Sequence, residues 1–224
     1  MAFEAAKRIV SRNSPKRRKK EPITPDIINR IVNYFKDKNE FPALRFIIIC
    51  LICYTGFLRI SELLNLKVKN LDFLAGGLKL TIPFSKTDQL YEGDVVYISS
   101  LESEACPVKW LNIYLEKLRL KDPENFIICR LAKTKKGHSV FRQHSISYAA
   151  ARNSFLKHLS QIVDDTSIFG LHPLRSGGGT AAANSGVTDR LIAKQGRWSS
   201  TSSRDGYIKD STAKRFKVSA SLGI

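Results

Sequence analysis

Apolar residues first recur at helical spacing at Ile27, Ile28, Ile31, Val32 and Phe35, the stripe of an amphipathic helix. Thr24-Pro25-Asp26 supplies its start, with Thr as cap and Pro in the first turn. Pro42 to Tyr54 is apolar on nearly every side, which predicts a buried helix, and Thr55-Gly56 breaks it. Ile60 to Leu66 restarts as a short helix, with Glu62 and Asn65 expected on the side away from Leu63, Leu64 and Leu66. The period then changes. Leu78 to Pro83 alternates and Asp94 to Ile98 is β-branched and aromatic, with turns at Gly76-Gly77 and Glu92-Gly93-Asp94. Helical patterns return at 107–120, 145–160, 173–185, 188–195 and 211–218. The expected fold is mainly α with one small antiparallel β-sheet, and no internal repeat is visible.

The ends read differently. Phe3 to Val10 looks like the end of a helix, and residues 11 to 23 carry charge and two prolines without apolar periodicity, which is linker texture. Residues 1–21 are therefore expected to be a basic linker, the tail of a preceding DNA-binding domain, with the folded domain over 22–210 and a helix and tail over 211–224. The longest apolar run, Phe46 to Tyr54, is far short of the ~20 residues that span a bilayer. No apolar signal core follows the basic N-terminus. Cys50 and Cys53 form a C-x-x-C inside the apolar helix, without a second pair at zinc-ligand spacing, so all four cysteines are expected as buried thiols and no metal is expected.

The 43% apolar and 25% charged residues are ordinary for a globular domain. The net charge of +17 is not. Eight basic residues fall in the first twenty against one acid, Glu4, and the rest of the chain is still basic. Such a body suits a polyanion, nucleic acid before a membrane surface. Lys16 to Lys20 could serve as a nuclear-localisation patch or a strap onto DNA phosphates. Lys133, Lys135, Lys136 and Arg142 surround a basic turn that could grip the DNA backbone, with an idle solvated loop as the equal alternative.

The candidate chemistry lies mostly between Leu171 and Asp210. Leu171-His-Pro-Leu-Arg-Ser-Gly-Gly-Gly-Thr180 sets His172 and Arg175 three apart at a helix start, where both can converge on one point and free backbone N–H groups suit phosphate. Trp198 follows Arg175 by 23 residues and Tyr207 follows Trp198 by 9. Upstream, Thr55-Gly-Phe-Leu-Arg-Ile-Ser-Glu-Leu-Leu64 places Arg59 where the buried helix gives way to the short one. Lys86 sits in Phe84-Ser-Lys-Thr-Asp88 at the edge of the β region, with Lys79 as a competitor.

Jointly, these residues resemble the signature of the tyrosine recombinases and phage-type integrases, over about residues 22 to 218. Arg-Ser-Gly-Gly-Gly-Thr, Gly-Arg-Trp-Ser-Ser, Asp-Gly-Tyr-Ile-Lys-Asp and the closing Val-Ser-x-x-Leu-Gly-Ile are most similar to recombinases of eukaryotic DIRS-like and Ngaro-like retrotransposons. Leu58 is an extra residue between Gly56 and Arg59, and Trp198 stands where the family more often has His. The resemblance implies cleavage and rejoining of double-stranded DNA through a 3′-phosphotyrosine on Tyr207, without metal, cofactor or ATP. It implies that Arg59 and Arg175 clamp the non-bridging oxygens, His172 takes the Tyr proton, Lys86 protonates the 5′-oxygen, and Trp198 offers an N–H and packs the pocket. It further implies a homo-oligomer on DNA, with the terminal helix docked on a neighbouring subunit. The setting would be the nucleus in a eukaryote, or the cytoplasm in a prokaryote. Two rivals stand beside it: a type IB topoisomerase acting as a monomer, and a domesticated DNA-binding protein that no longer cuts.

Overall fold

The computed structural model describes residues 20–83, 93–135 and 137–222. The expected helix end at Phe3 to Val10, most of the basic linker, Lys86 and Lys136 lie outside the described residues. The first helix, α1 (Pro25–Phe35), starts where the sequence says, with the Thr24 hydroxyl accepting the Ile27 N–H at 3.3 Å. Helix α2 (Phe41–Thr55) is the apolar one, and Ala43 through Cys53 are all buried. Even Arg45 is inside, donating to the Cys129 carbonyl at 3.1 Å. After the short α3 (Ile60–Asn65) come strands β1 (Leu71–Leu74), β2 (Gly77–Ile82) and β3 (Asp94–Ser99), an antiparallel sheet with β2 in the middle. Leu78, Leu80, Ile82, Val96 and Ile98 face the core.

Helix α4 (Pro107–Lys117) is followed by β4 (Cys129–Thr134) and β5 (Gly137–Ser145), then α5 (Tyr148–Leu159), α6 (His172–Asn184), α7 (Asp189–Gly196), α8 (Thr201–Asp205) and α9 (Thr212–Ala220). The expected single sheet is corrected to two, because β4 and β5 form a separate antiparallel hairpin. Its strands are rich in Lys, Arg, Ser and His and are mostly solvent-facing, so no clean apolar alternation announced them. Helix α8 was also unforeseen, being a single polar turn capped by Ser200. The predicted helix over 107–120 stops short, since Arg119 takes a left-handed backbone (φ 53°). All four cysteines are buried and free. Among the described residues, no helix is long and apolar enough to cross a membrane.

Helix α2 is the axis of the fold, with α1, α3, α4, α5 and α6 packed around it. Three neighbours, of which α2 is one, explain the Gly177-Gly178-Gly179 run of α6. A Cβ at Gly177 would lie 2.1 Å from the Ile23 carbonyl oxygen, one at Gly178 2.0 Å from the Tyr54 carbonyl oxygen, and one at Gly179 3.1 Å from the Trp198 ring. Each interior helical glycine costs about 1 kcal/mol relative to Ala, and here two close backbone approaches and one contact with an indole ring account for it. Ile23, at the end of the expected linker, is fully buried and its N–H donates to the Pro173 carbonyl at 3.1 Å. The folded body therefore begins before α1.

Gly178→Ala should lower stability by roughly 1–3 kcal/mol, the cost of overpacking, although helix propensity alone would raise it by about 1 kcal/mol. A fall in the denaturant midpoint at unchanged slope is the expected result; a rise would contradict the close packing of α6 on α2.

Candidate active site

Helix α6 begins at His172, and Pro173 in its first turn supplies the helical φ without wasting a donor. One turn on, Arg175 is fully buried, at 0% exposure. Its Nη1 donates to the Phe57 carbonyl at 2.7 Å and its Nη2 to the Gly196 carbonyl. Its Nε has no hydrogen-bond partner among the described residues. Phe57 adopts a left-handed backbone (φ 48°) just after α2, an arrangement that costs a bulky residue about 1–2 kcal/mol. Its carbonyl accepts from Arg175 and, at 3.4 Å, from Arg197.

Arg59 caps α3, with its side chain 20% exposed. Glu62, three residues on, is corrected from an outward to an inward position: its side chain is 3% exposed. Its carboxylate accepts from the Arg59 backbone N–H at 2.8 Å and from Arg59 Nη1 at 2.7 Å. It also accepts from Arg197 Nη2 at 2.6 Å, and Arg175 Nη1 lies 3.8 Å away. A carboxylate is stable in such a place only because cations surround it. An acidic residue at the third helical position is the signal that could have shown the Glu62 carboxylate capping the Arg59 N–H. Arg197 had no such signal, because nothing in the sequence marks a residue that will be turned inward.

Three guanidiniums around one carboxylate leave excess positive charge in a buried setting. Burial, then Arg59 and Arg197, push the Arg175 guanidinium down to about 10, still protonated at neutral pH. The Arg197 guanidinium is lowered too, by burial, with Glu62 and Asp94 acting against the fall.

Helix α7 ends at Gly196, and Arg197 (φ 54°) reverses the chain, so that Trp198 turns under α6. Trp198 is buried against Gly179 and Gly196, where any Cβ would strike its ring. Its indole N–H has no partner among the described residues. Tyr207 follows α8 and lies half-buried, its ring centroid 5.2 Å from that of Trp198 and 5.0 Å from that of His172. The Arg175 guanidinium carbon sits 5.0 Å from the Trp198 ring and 5.2 Å from the Tyr207 ring. Thr180 of α6 fastens the segment, donating to the Tyr207 carbonyl at 3.3 Å and accepting the Lys209 N–H at 3.1 Å.

The structure thus brings Arg59, His172, Arg175, Trp198 and Tyr207 together within one chain. Lys79, on β2, lies 3.6 Å from Asp72. Lys133 and Lys135 are exposed on the β4–β5 hairpin. Arg142, named with them as a candidate DNA contact, donates its Nε–H to the Leu118 carbonyl at 2.9 Å at the end of α4.

The family model described as the phage integrase family matches residues 21–214. An integrase/recombinase XerD homolog of Selenomonas ruminantium is 25% identical over 194 residues, covering 86% of this chain and 54% of that protein. The chain therefore spans about half the length of that relative. Among solved structures, XerA recombinase has a TM-score of 0.64 at 16% identity, covering 95% of this chain and 67% of that one. XerH bound to palindromic difH substrate, in a post-cleavage complex, gives 0.63 at 18% identity, covering 90% and 53%. At these identities the structural likeness shows the fold, which is helix-rich with small antiparallel sheets.

Burial, then Arg175 and Arg59, lower the His172 pKa, so the ring is neutral at pH 7. A histidine lowered on folding costs no stability above its unfolded pKa of about 6.5, and stability is lost as pH falls from there toward the folded value. Ring-proton NMR should show His172 titrating below about 6.5, and Arg59→Gln should move it upward. Titration at or above the ordinary value would contradict this environment.

Proposed function

From the premise that the chain belongs to the phage integrase family, we propose that it is a site-specific recombinase that cleaves and rejoins double-stranded DNA through a 3′-phosphotyrosine on Tyr207. The observation that carries this reading is the stacking of the Tyr207 ring 5.2 Å from the Arg175 guanidinium, with Arg59 held one carboxylate away. Nucleophile and charge clamp come from the same subunit.

The Tyr207 oxygen attacks phosphorus, forming the O–P bond as the bond to the 5′-oxygen breaks. Neutral His172, whose ring lies beside the Tyr207 ring at an interplanar angle of 48°, takes the phenolic proton. Arg59 and Arg175 neutralise charge growing on the non-bridging oxygens, a contribution of about 3 kcal/mol per well-placed donor. Buried Trp198 directs its unpartnered N–H to the same phosphate and walls the pocket. The departing 5′-oxygen takes a proton from Lys86, the role that the family resemblance implies for it, with Lys79 as the competitor. Because the phosphotyrosine conserves the phosphodiester energy, a 5′-hydroxyl can reverse the step, and neither ATP nor a metal ion is required.

The +17 charge supports a DNA partner through phosphate contacts, which carry no base specificity. The Gly-Arg-Trp-Ser-Ser and Asp-Gly-Tyr-Ile-Lys-Asp runs support an origin in a DIRS-like or Ngaro-like mobile element, and Lys16 to Lys20 support a nuclear site. Helix α9 leaves Phe216 68% exposed, and Leu222 beyond it is 65% exposed, apolar surface suited to a neighbouring subunit in a DNA-bound oligomer.

On a nicked suicide substrate the protein should form a covalent adduct that survives denaturation, also in the presence of a chelator. Tyr207→Phe should form none, and Arg59→Ala should slow adduct formation by roughly 100-fold. An adduct formed equally by Tyr207→Phe would overturn the reading; relaxation of supercoiled plasmid by a lone subunit would favour topoisomerase chemistry. Removal of residues 212–224 should reduce assembly on DNA in gel-shift or sizing measurements, and unchanged assembly would remove α9 from the interface.

A further inference from the structure

Arg197 has a position that its backbone does not favour. It is one of three non-glycine residues with positive φ among those described, at the end of α7 where glycine is the usual occupant. Yet its side chain is 3% exposed, with both Nη atoms hydrogen-bonded within the site and Nε without a hydrogen-bond partner among the described residues. Nη2 donates to Glu62 Oε2 at 2.6 Å and to the Phe57 carbonyl at 3.4 Å, and Nη1 donates to the Gln195 carbonyl at 3.0 Å. Nε lies 3.9 Å from the Asp94 carboxylate at the start of β3.

The arrangement of Glu62 gives these contacts a consequence. Oε2 is held from two sides, by the Arg59 backbone N–H and by Arg197. That fixes the carboxylate plane and aims Oε1 at Arg59 Nη1, 2.7 Å away. The Phe57 carbonyl, which seats Arg175, is shared with Arg197 as well. Arg59 and Arg175 are therefore each held by a group that Arg197 also contacts.

We propose that Arg197 is a positioning residue for strand cleavage, acting through Glu62 and the Phe57 carbonyl to orient Arg59 and Arg175 on the scissile phosphate. This rests on the recombinase reading above. A surface role would not bury the guanidinium, and a capping role alone would be met by glycine without the strain.

The test compares wild type with Arg197→Gly, which relieves the left-handed backbone while removing the guanidinium. DNA affinity and the single-turnover rate of adduct formation at saturating DNA are measured separately. Two substrates are used: an ordinary scissile phosphate, and one with a methyl group replacing a non-bridging oxygen. On the ordinary phosphate the rate should fall roughly 10- to 100-fold at unchanged affinity, the size of a misplaced catalytic group. On the methyl-substituted phosphate the charge to be clamped is gone, so the gap between variant and wild type should shrink to about threefold or less. An equal loss on both substrates, a wild-type rate on the ordinary one, or a loss confined to affinity would overturn the proposal. If Arg197→Gly does not fold, Arg197→Lys, which keeps one charged donor without the fork, is read by the same criteria. Failure of wild type to form a Tyr207 adduct on the ordinary phosphate would sink the recombinase reading itself, and Arg197's role with it.

Discussion

A single buried carboxylate organises the centre of this protein. Glu62 meets Arg59 and Arg197 at hydrogen-bond distance and Arg175 at 3.8 Å. A lone charge in that position would cost several kcal/mol, and three guanidiniums crowded together without it would repel one another. The carboxylate resolves both problems and leaves the cluster net positive. An anion entering the pocket thus meets charge that was already organised, which is the condition under which electrostatic stabilisation of a transition state is large.

The cluster can exist only because the backbone around it is shaped to close tolerances. Arg175 reaches two carbonyls, one presented by the left-handed Phe57 and the other by Gly196. Three glycines let α6 approach the entering chain, the end of α2 and the Trp198 ring at once. Trp198 then supports Tyr207, and Tyr207 lies over Arg175. Packing, strain and electrostatics here form one mechanical unit, in which the glycines serve the arginines by way of an indole ring.

The same unit explains what was legible in advance and what was not. Arg59, His172, Arg175, Trp198 and Tyr207 carry functional groups whose spacing was informative together, and the fold gathers all five. Glu62 was expected to face outward, and its inward orientation goes with Arg197, which approaches from the end of α7. Arg142 donates to the Leu118 carbonyl at the end of α4, a contact between distant segments that no local pattern on β5 announced.

The linear pattern alone determined the long helices, two strands of the three-stranded sheet and the residue types that suit phosphate chemistry, since periodicity and capping are local properties of the chain. The β4–β5 hairpin escaped it because polar strands pair through their backbones, which carry no sequence label. The tertiary structure alone decided that Glu62 faces inward, that three consecutive glycines answer to three different neighbours, and that Arg197 accepts a left-handed backbone to reach a buried acid. Each of these depends on contacts between segments well separated along the chain, or on a backbone angle set by such contacts, and no local rule encodes them.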